Sequence, residues 1–417
     1  MIKRPRGTRD FGPEEMERRR RLEFIMRETA RTFGFREVAT PIFEHTELFT
    51  IRSGPNIVEE IYAFQDKGGR EIALRPELTA PVIRFFVNEF TNHSRPLKLF
   101  YMGPCFRYER PQSGRYREFY QFGVEIIGNQ NPETDAEVIA LAVRIMESIG
   151  LEDFQVKVGH IGILRDRLAL AGIDQEEASP ILQKLDKKLY DEARPLMEKA
   201  GMGEEDIEEV FRITRLSGAP EELEWEMEGE SIQYLREVFD TLALHGVEGV
   251  QADLGVVRGL DYYTGVVFEV EAPRLGAEKQ VAGGGSYSLS ELFGGERVFS
   301  TGFAIGFDRV QLALEKEGED FLPSTLDAFV VPVSDETRST AFQVVSRLRS
   351  AGVRADVDLM RRSMGKNLKF ADSVCAKYAI IVGPKELEEG SVTVRDMETG
   401  DQSLVRMEEL VDHLRSS

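Results

Sequence analysis

The sequence predicts an α+β chain: an antiparallel sheet flanked by helices, broken by a helical insertion and followed by a smaller α/β domain. Three observations carry that prediction. Short strand patterns separated by turns fill residues 35–127, the order expected of antiparallel pairing rather than of βαβ units. Residues 167–248 then show no strand pattern of note and read as helical, acidic and punctuated by glycine. After Pro323, strands and helices alternate.

Taken in order, turn residues at the N-terminus precede a helix in which Leu22, Ile25, Met26, Thr29 and Phe33 share one stripe. The arginine run 18–21 is then expected to be a solvated face. After Gly34, FREVATPIFEH reads as a strand interrupted at Pro41, a residue that suits a sheet edge or an interface. Strands follow around Ala63, Ile72, Leu99 and Val124, with a helix across 78–90. In FYQFGVEII, successive side chains point to opposite faces, so Tyr120, Phe122, Val124 and Ile126 line one and Gln121, Gly123 and Glu125 the other. The first face is core and the second the floor of a pocket. NPETDAEVIALAVRIMESIG is a capped amphipathic helix. Beyond the insertion, strands resume at VQADLGVVRGLDYYTGVVFEVEA and run through GGGSYSLSELFGG to STGFAIGFDRV, where a strand feeds a helix. Two halves of one sheet domain therefore flank the insertion. The last unit runs strand (AFVVPVS), helix (336–351), strand (VRADVDL), helix (366–377) and strand (YAIIVG), which suggests a mixed or parallel sheet.

Composition excludes several classes. No run of about 18 apolar residues is present, and no apolar stretch follows the basic N-terminus, so a cytoplasmic protein with no membrane partner is expected. Cys105 and Cys375 lie far apart, and the five histidines are scattered, so neither a disulfide framework, a zinc site nor a Ser/His/Asp triad is indicated. The net charge is −20. Residues 167–248 carry 9 Lys/Arg against 21 Asp/Glu, whereas residues 327–417 carry 13 against 15. Against that background residues 95–117 hold six basic side chains and one acid, Glu109.

That basic stretch, FRYERPQSGRYREF, places Arg107, Arg110, Arg115 and Arg117 on two strands and the turn between them. Arginine grips phosphates through a planar fork that keeps its charge, so a triphosphate site is one reading and a charged surface hairpin the plainer one. GFAIGFDRV puts Gly302 and Gly306 on a strand, where a ligand approaches closely, and Arg309 at the start of a helix. RGLDYYTG sets Arg258, Asp261 and two phenols between strands; a buried Arg258–Asp261 ion pair is its alternative. In LRPELTA, Glu77 faces an ammonium group or, more simply, complements a helix dipole. No GxxxxGK[ST] loop occurs, so phosphate handling is not of the Walker type.

With these motifs the chain resembles the class II aminoacyl-tRNA synthetases, and within them the histidyl-tRNA synthetase family. FRYERPQSGRYREF is similar to motif 2, GFAIGFDRV to motif 3, GFREVATPIFE to motif 1 and RGLDYYTG to the family's histidine-specific run. HIGH and KMSKS, which mark the other adenylate-forming architecture, are absent. The resemblance implies a catalytic domain in two parts, 1–166 and 249–325, a helical insertion over 167–248 and an anticodon-binding domain over 326–417.

It also implies roles. Arg107 would hold the ATP α-phosphate and Arg115 the outer phosphates, with Glu109 near the nucleotide, while Phe119 and Arg309 would sandwich adenine. Arg258 would be a fixed cation between substrate carboxylate and phosphate. Glu77, Thr79 and Gln121 would receive the amino group of L-histidine, Glu125 and Tyr263 would read its imidazole, and Tyr287 would line the pocket. Arg110, Gln112 and Arg117 would meet the acceptor end of tRNA(His). The expected partners are ATP with Mg²⁺, L-histidine, tRNA(His) and a second copy in a homodimer; no particular side chain is assigned to Mg²⁺. The chain departs from the family at GGGSYS, where Ser286 and Ser288 replace an arginine and an aspartate, and at Tyr108 and Leu78. Two other readings compete: the histidine-binding regulatory subunit of ATP phosphoribosyltransferase, which would typically lack the anticodon-binding domain and the catalytic arginines kept here at Arg107, Arg258 and Arg309, and a tRNA-like binding module, which would not need an intact ATP site.

Overall fold

The computed structural model describes residues 2–53, 55–108, 116–221, 223, 229–256, 263–318 and 326–416. The chain divides into two compact units, Met1–Phe321 and Leu322–Ser417. The larger is organised on a nine-stranded sheet in the order Arg36–Glu37, Leu97–Phe106, Glu118–Ile127, Ser300–Gly306, Gln280–Tyr287, Tyr263–Glu271, Gln155–His160, Val250–Asp253 and Ser217–Gly218. Pairing is antiparallel except between the first two strands and between Gln155–His160 and Val250–Asp253. Segments on either side of residues 167–248 are thus direct neighbours: Glu118–Ile127 bonds to Ser300–Gly306.

Alternation sorts the side chains. Phe100, Phe122, Val124, Ile126, Phe268, Phe303 and Ile305 share the main core with residues of helices Pro13–Thr32 and Pro132–Ser148. The second of these helices starts sharply because Asn131 accepts the Thr134 amide at 2.8 Å and Pro132 needs no partner for a missing N–H. The reverse face carries Leu99, Tyr101, Cys105, Tyr263, Val267 and Tyr287, clustered with Leu78, Val82 and Phe86. Helices Ile161–Leu170, Gln175–Asp186, Tyr190–Lys199, Glu204–Thr214 and Glu230–Leu244 follow the acidic sequence, and their buried Leu182, Met197, Val210 and Leu242 join the sheet's own core. Ser217–Gly218 adds a short edge strand that two residues are too few to reveal as a pattern.

Two sequence expectations change. The arginine run at 18–21 is not wholly solvated: Arg19 is 2 % exposed. It lies three residues before Leu22 and seven before Met26, so it belongs to the buried stripe, where Asp308 neutralises it at 2.7 Å. The helix expected over 78–90 is an α-helix only across Thr79–Phe85 and continues as a π-helical turn through Phe86–Phe90.

A small antiparallel sheet of Phe43–His45, Glu71–Leu74 and Tyr62–Gln65 stands beside the large one. Arg75 joins the two. Its guanidinium, 4 % exposed, donates to the carbonyls of Pro104 (2.8 Å), Thr40 (2.8 Å) and Pro41 (3.2 Å). Gly103 makes room for it, since a Cβ there would run into the guanidinium.

The smaller unit is a mixed five-stranded sheet in the order Ala355–Val357, Ala328–Pro332, Tyr378–Val382, Ser391–Asp396 and Gln402–Arg406, with the first three strands parallel. Helices Arg338–Ser350 and Met364–Ser373 contribute Val344, Leu348 and Ala371 to its cores.

Candidate active site

The polar face of Glu118–Ile127 builds the site. Glu125 is 1 % exposed and accepts the phenol of Tyr101 on Oε1 at 2.7 Å and that of Tyr287 on Oε2 at 2.5 Å. Its carboxylate lies over Gly302, the residue opposite it on the next strand; a Cβ there would run into it. Tyr101 lies in the same way over Gly123, where a Cβ would run into its ring. Thr79 Oγ1 is 3.2 Å from the Tyr101 hydroxyl. Tyr263 pairs with Tyr287 across strands, and its ring crowds Gly285, whose φ of +157° and lack of a Cβ both suit glycine.

Burial pushes the Glu125 carboxyl up to about 7, against the pull of the Tyr287 and Tyr101 phenols and the Thr79 hydroxyl, while the Glu77 charge adds to the rise. Glu77 has a structural task as well. Its carboxylate accepts the amides of Thr79 (2.5 Å) and Ala80 (3.0 Å), the orphan donors at the start of helix Thr79–Phe85. The plainer alternative for this residue is therefore present in the fold, whatever else its charge does. Gln121 holds the floor beyond Gly123, between Gly103 and Gly306 on the flanking strands, and its Oε1 accepts the Cys105 thiol at 3.3 Å. Burial pushes that thiol up to about 12.

The basic end lies along the same strands. Arg107 donates from Nε to the Pro76 carbonyl at 3.0 Å, and its guanidinium is 5.2 Å from the centre of the Phe119 ring. Arg309, third in the helix Phe307–Glu317, donates to the Gln280 carbonyl at 2.8 Å and to Glu278 at 3.1 Å. Arg117 sits 4.2 Å over the Tyr108 ring, outside the Glu125 cluster. The remaining expected residues, Glu109, Arg110, Gln112, Arg115 and Arg258 with Asp261, lie outside the described residues.

The structure therefore gathers Glu77, Thr79, Glu125, Tyr263 and Tyr287 into one connected patch and sets Arg107 against Phe119. Sequence reasoning missed three groups. Tyr101 shares a face with Leu99 and Cys105, so the alternation used for the next strand would have found it. Asp308, passed over beside Arg309, is 6 % exposed and accepts Arg9 at 2.5 Å, Arg19 at 2.7 Å and the Tyr120 amide at 2.9 Å. It ties the N-terminal helix, the basic hairpin and the Arg309 helix together. Asp135, 1 % exposed, takes hydroxyls from Ser286 (2.7 Å), Thr301 (2.5 Å) and Tyr234 (2.8 Å) on the opposite face. Ser286 thus points into the helix layer, away from the Glu125 patch. Nothing local in the sequence signals those long-range pairs.

The family model for histidyl-tRNA synthetase matches residues 7–310, and that for an anticodon binding domain matches residues 327–417. A histidine–tRNA ligase of Archaeoglobus fulgidus is 48 % identical over 419 residues, covering 99 % of this chain and 100 % of the relative. Among solved structures, apo histidyl-tRNA synthetase of S. aureus has a TM-score of 0.79 at 32 % identity, with 100 % of both chains covered. A Bacillus halodurans ATP phosphoribosyltransferase regulatory subunit/histidyl-tRNA synthetase has a TM-score of 0.78 at 25 % identity, covering 92 % of this chain and 98 % of its own. Full-length identity at that level, on a sheet whose polar face carries a phenol-bound carboxylate and, farther along the same strands, an arginine against an aromatic ring, makes this chain a member of the histidyl-tRNA synthetase family.

Proposed function

We propose that the chain ligates L-histidine to tRNA(His) in two steps, forming histidyl-adenylate from histidine and ATP and then passing the histidyl group to the tRNA. The observation that carries this reading is Glu125, a buried carboxylate on the sheet's polar face with two phenols fixing both oxygens. Such a group discriminates strongly, because a ligand without an N–H in that place leaves the carboxylate's remaining lone pairs buried and unmet.

In the first step the histidine carboxylate attacks the α-phosphorus in line and pyrophosphate leaves. Arg107, whose guanidinium is steadied by the Pro76 carbonyl and the Phe119 ring, would hold the α-phosphate. Arg258 would bridge that phosphate and the attacking carboxylate, and Arg115 and Glu109 would attend the rest of the nucleotide. Phe119 and Arg309 would enclose the adenine. Glu77, Thr79 and Gln121 would take the ammonium group, and Glu125, Tyr263 and Tyr287 the imidazole. Positioning and charge stabilisation account for the rate, since no side chain forms a bond to substrate. In the second step the terminal adenosine hydroxyl of the tRNA attacks the mixed anhydride and AMP leaves; Arg110, Gln112 and Arg117 would steer that end. Magnesium would accompany ATP and offset the charge of its phosphates.

We also propose a cytoplasmic homodimer. No helix among the described residues is long and apolar enough to cross a membrane. Ile42 and Phe43, 46 % and 57 % exposed beside Pro41, are apolar surface of the kind a subunit contact covers, and sedimentation as a monomer would count against the dimer. Histidine-dependent ATP–pyrophosphate exchange tests the activity. Folded protein without exchange would sink the ligase reading and leave a histidine-binding regulatory subunit; Arg258→Ala should abolish exchange and leave the fold intact.

A further inference from the structure

We propose that Tyr101 is a positioning residue for amino-acid selection: its phenol holds Glu125 as a fixed, acceptor-only carboxylate and joins it to Thr79. The inference rests on the reading that Glu125 faces the imidazole of histidine.

The geometry is specific. Tyr101 donates to Oε1 and Tyr287 to Oε2, so the carboxylate plane is pinned from two strands that lie on opposite sides of it. An ionised carboxylate offers about four lone-pair directions, which leaves roughly two for a ligand N–H. Tyr101 is itself fixed: its ring lies against Gly123, and its hydroxyl sits 3.2 Å from Thr79 Oγ1. At 2 % exposure the phenol has no bulk water to turn to. One side chain thus connects the residue expected to read the ring with one expected to receive the amino group.

The chemistry depends on which form Glu125 takes. Ionised, it accepts an N–H; protonated, it must donate with one oxygen, and the match to a ring N–H is lost. The titratable groups facing it are Tyr101 from Leu97–Phe106, Tyr287 from Gln280–Tyr287, with Tyr263 beside Tyr287 on the next strand, and Glu77 from the turn before helix Thr79–Phe85, while Ser300–Gly306 sets Gly302 opposite it. Burial and the Glu77 charge favour the protonated form; the two phenols and the Thr79 hydroxyl favour the ionised one. Removing one phenol moves the balance toward the protonated carboxyl at neutral pH.

The test is ATP–pyrophosphate exchange by the full chain carrying Tyr101→Phe or, separately, Glu125→Gln, with KM for histidine and for ATP followed from pH 6 to pH 9. Tyr101→Phe keeps the ring that packs on Gly123. It should raise the histidine KM about 10-fold at pH 7, the size of one lost hydrogen bond to a charged group. KM for ATP should stay within about twofold, and the histidine deficit should shrink as pH rises. A site-specific 3-fluorotyrosine at position 101 keeps both ring and hydroxyl and donates more strongly, so its low-pH limb should move the other way. This second protein carries the test if Tyr101→Phe does not fold. An unchanged histidine KM, or a loss in histidine and ATP terms together that is constant with pH, would overturn the proposal. If Glu125→Gln leaves histidine KM and selectivity intact, the underlying assignment of Glu125 fails instead. If Glu125→Gln is impaired and the Tyr101 variants match the parent, only the role of Tyr101 falls.

Discussion

Replacing Glu125 with glutamine should separate what this site costs the fold from what it does for ligand. The carboxyl is pushed from 4.5 up to about 7 by burial, a rise of roughly 2.5 units, and each unit is worth about 1.4 kcal/mol, so ionising it in the folded state costs roughly 3 kcal/mol. The native state holds this proton more tightly than the unfolded chain does. Its contribution is therefore most favourable below about pH 4.5 and is lost as pH rises toward 7. Glutamine has the same shape and no such loss. Urea unfolding of parent and Glu125→Gln at half-unit steps from pH 4 to pH 8, followed by far-ultraviolet circular dichroism, would measure the difference. We expect the variant to gain roughly 3 kcal/mol relative to the parent across that range, while histidine ceases to stabilise it. A difference that stays flat with pH would refute the electrostatic reasoning.

Asp308→Ala should cost about 3–5 kcal/mol, because it leaves the buried Arg19 and the half-buried Arg9 without their carboxylate; a urea-midpoint loss below about 1 kcal/mol would contradict that. Gly302→Ala places a Cβ against the Glu125 carboxylate and should raise the histidine KM by about 10-fold or more with ATP affinity retained, so parent-like exchange kinetics would show the floor to be loose. Cys105 is fully buried with its thiol pushed up to about 12, whereas Cys375 is exposed. Iodoacetamide at pH 8 should therefore modify Cys375 alone in the folded chain, and mass spectrometric labelling of Cys105 without denaturant would contradict the packing.

Periodicity alone separates Phe122, Val124 and Ile126 from Gln121, Gly123 and Glu125, because a strand repeats every two residues whatever surrounds it. The same local logic finds the helix after Asn131 and the alternating elements beyond Pro323, where caps and apolar spacing lie within a few residues of one another. The basic hairpin is likewise legible as charge. Tertiary structure alone decides partners that are distant in sequence. Arg19 looks like part of a solvated run until Asp308, 289 residues away, meets it, and Ser286, on the face opposite Tyr287, finds its partner in Asp135, 151 residues away. Tyr101 acquires its place in the same way: a core aromatic by pattern, it becomes a polar contact because Gly123 lets its ring lie flat and Glu125 stands within reach. Sequence thus determined which faces are apolar and where cations gather, through local spacing. The fold determined which carboxylate each cation and phenol would meet, since buried charge has to find a partner and only close packing brings one near.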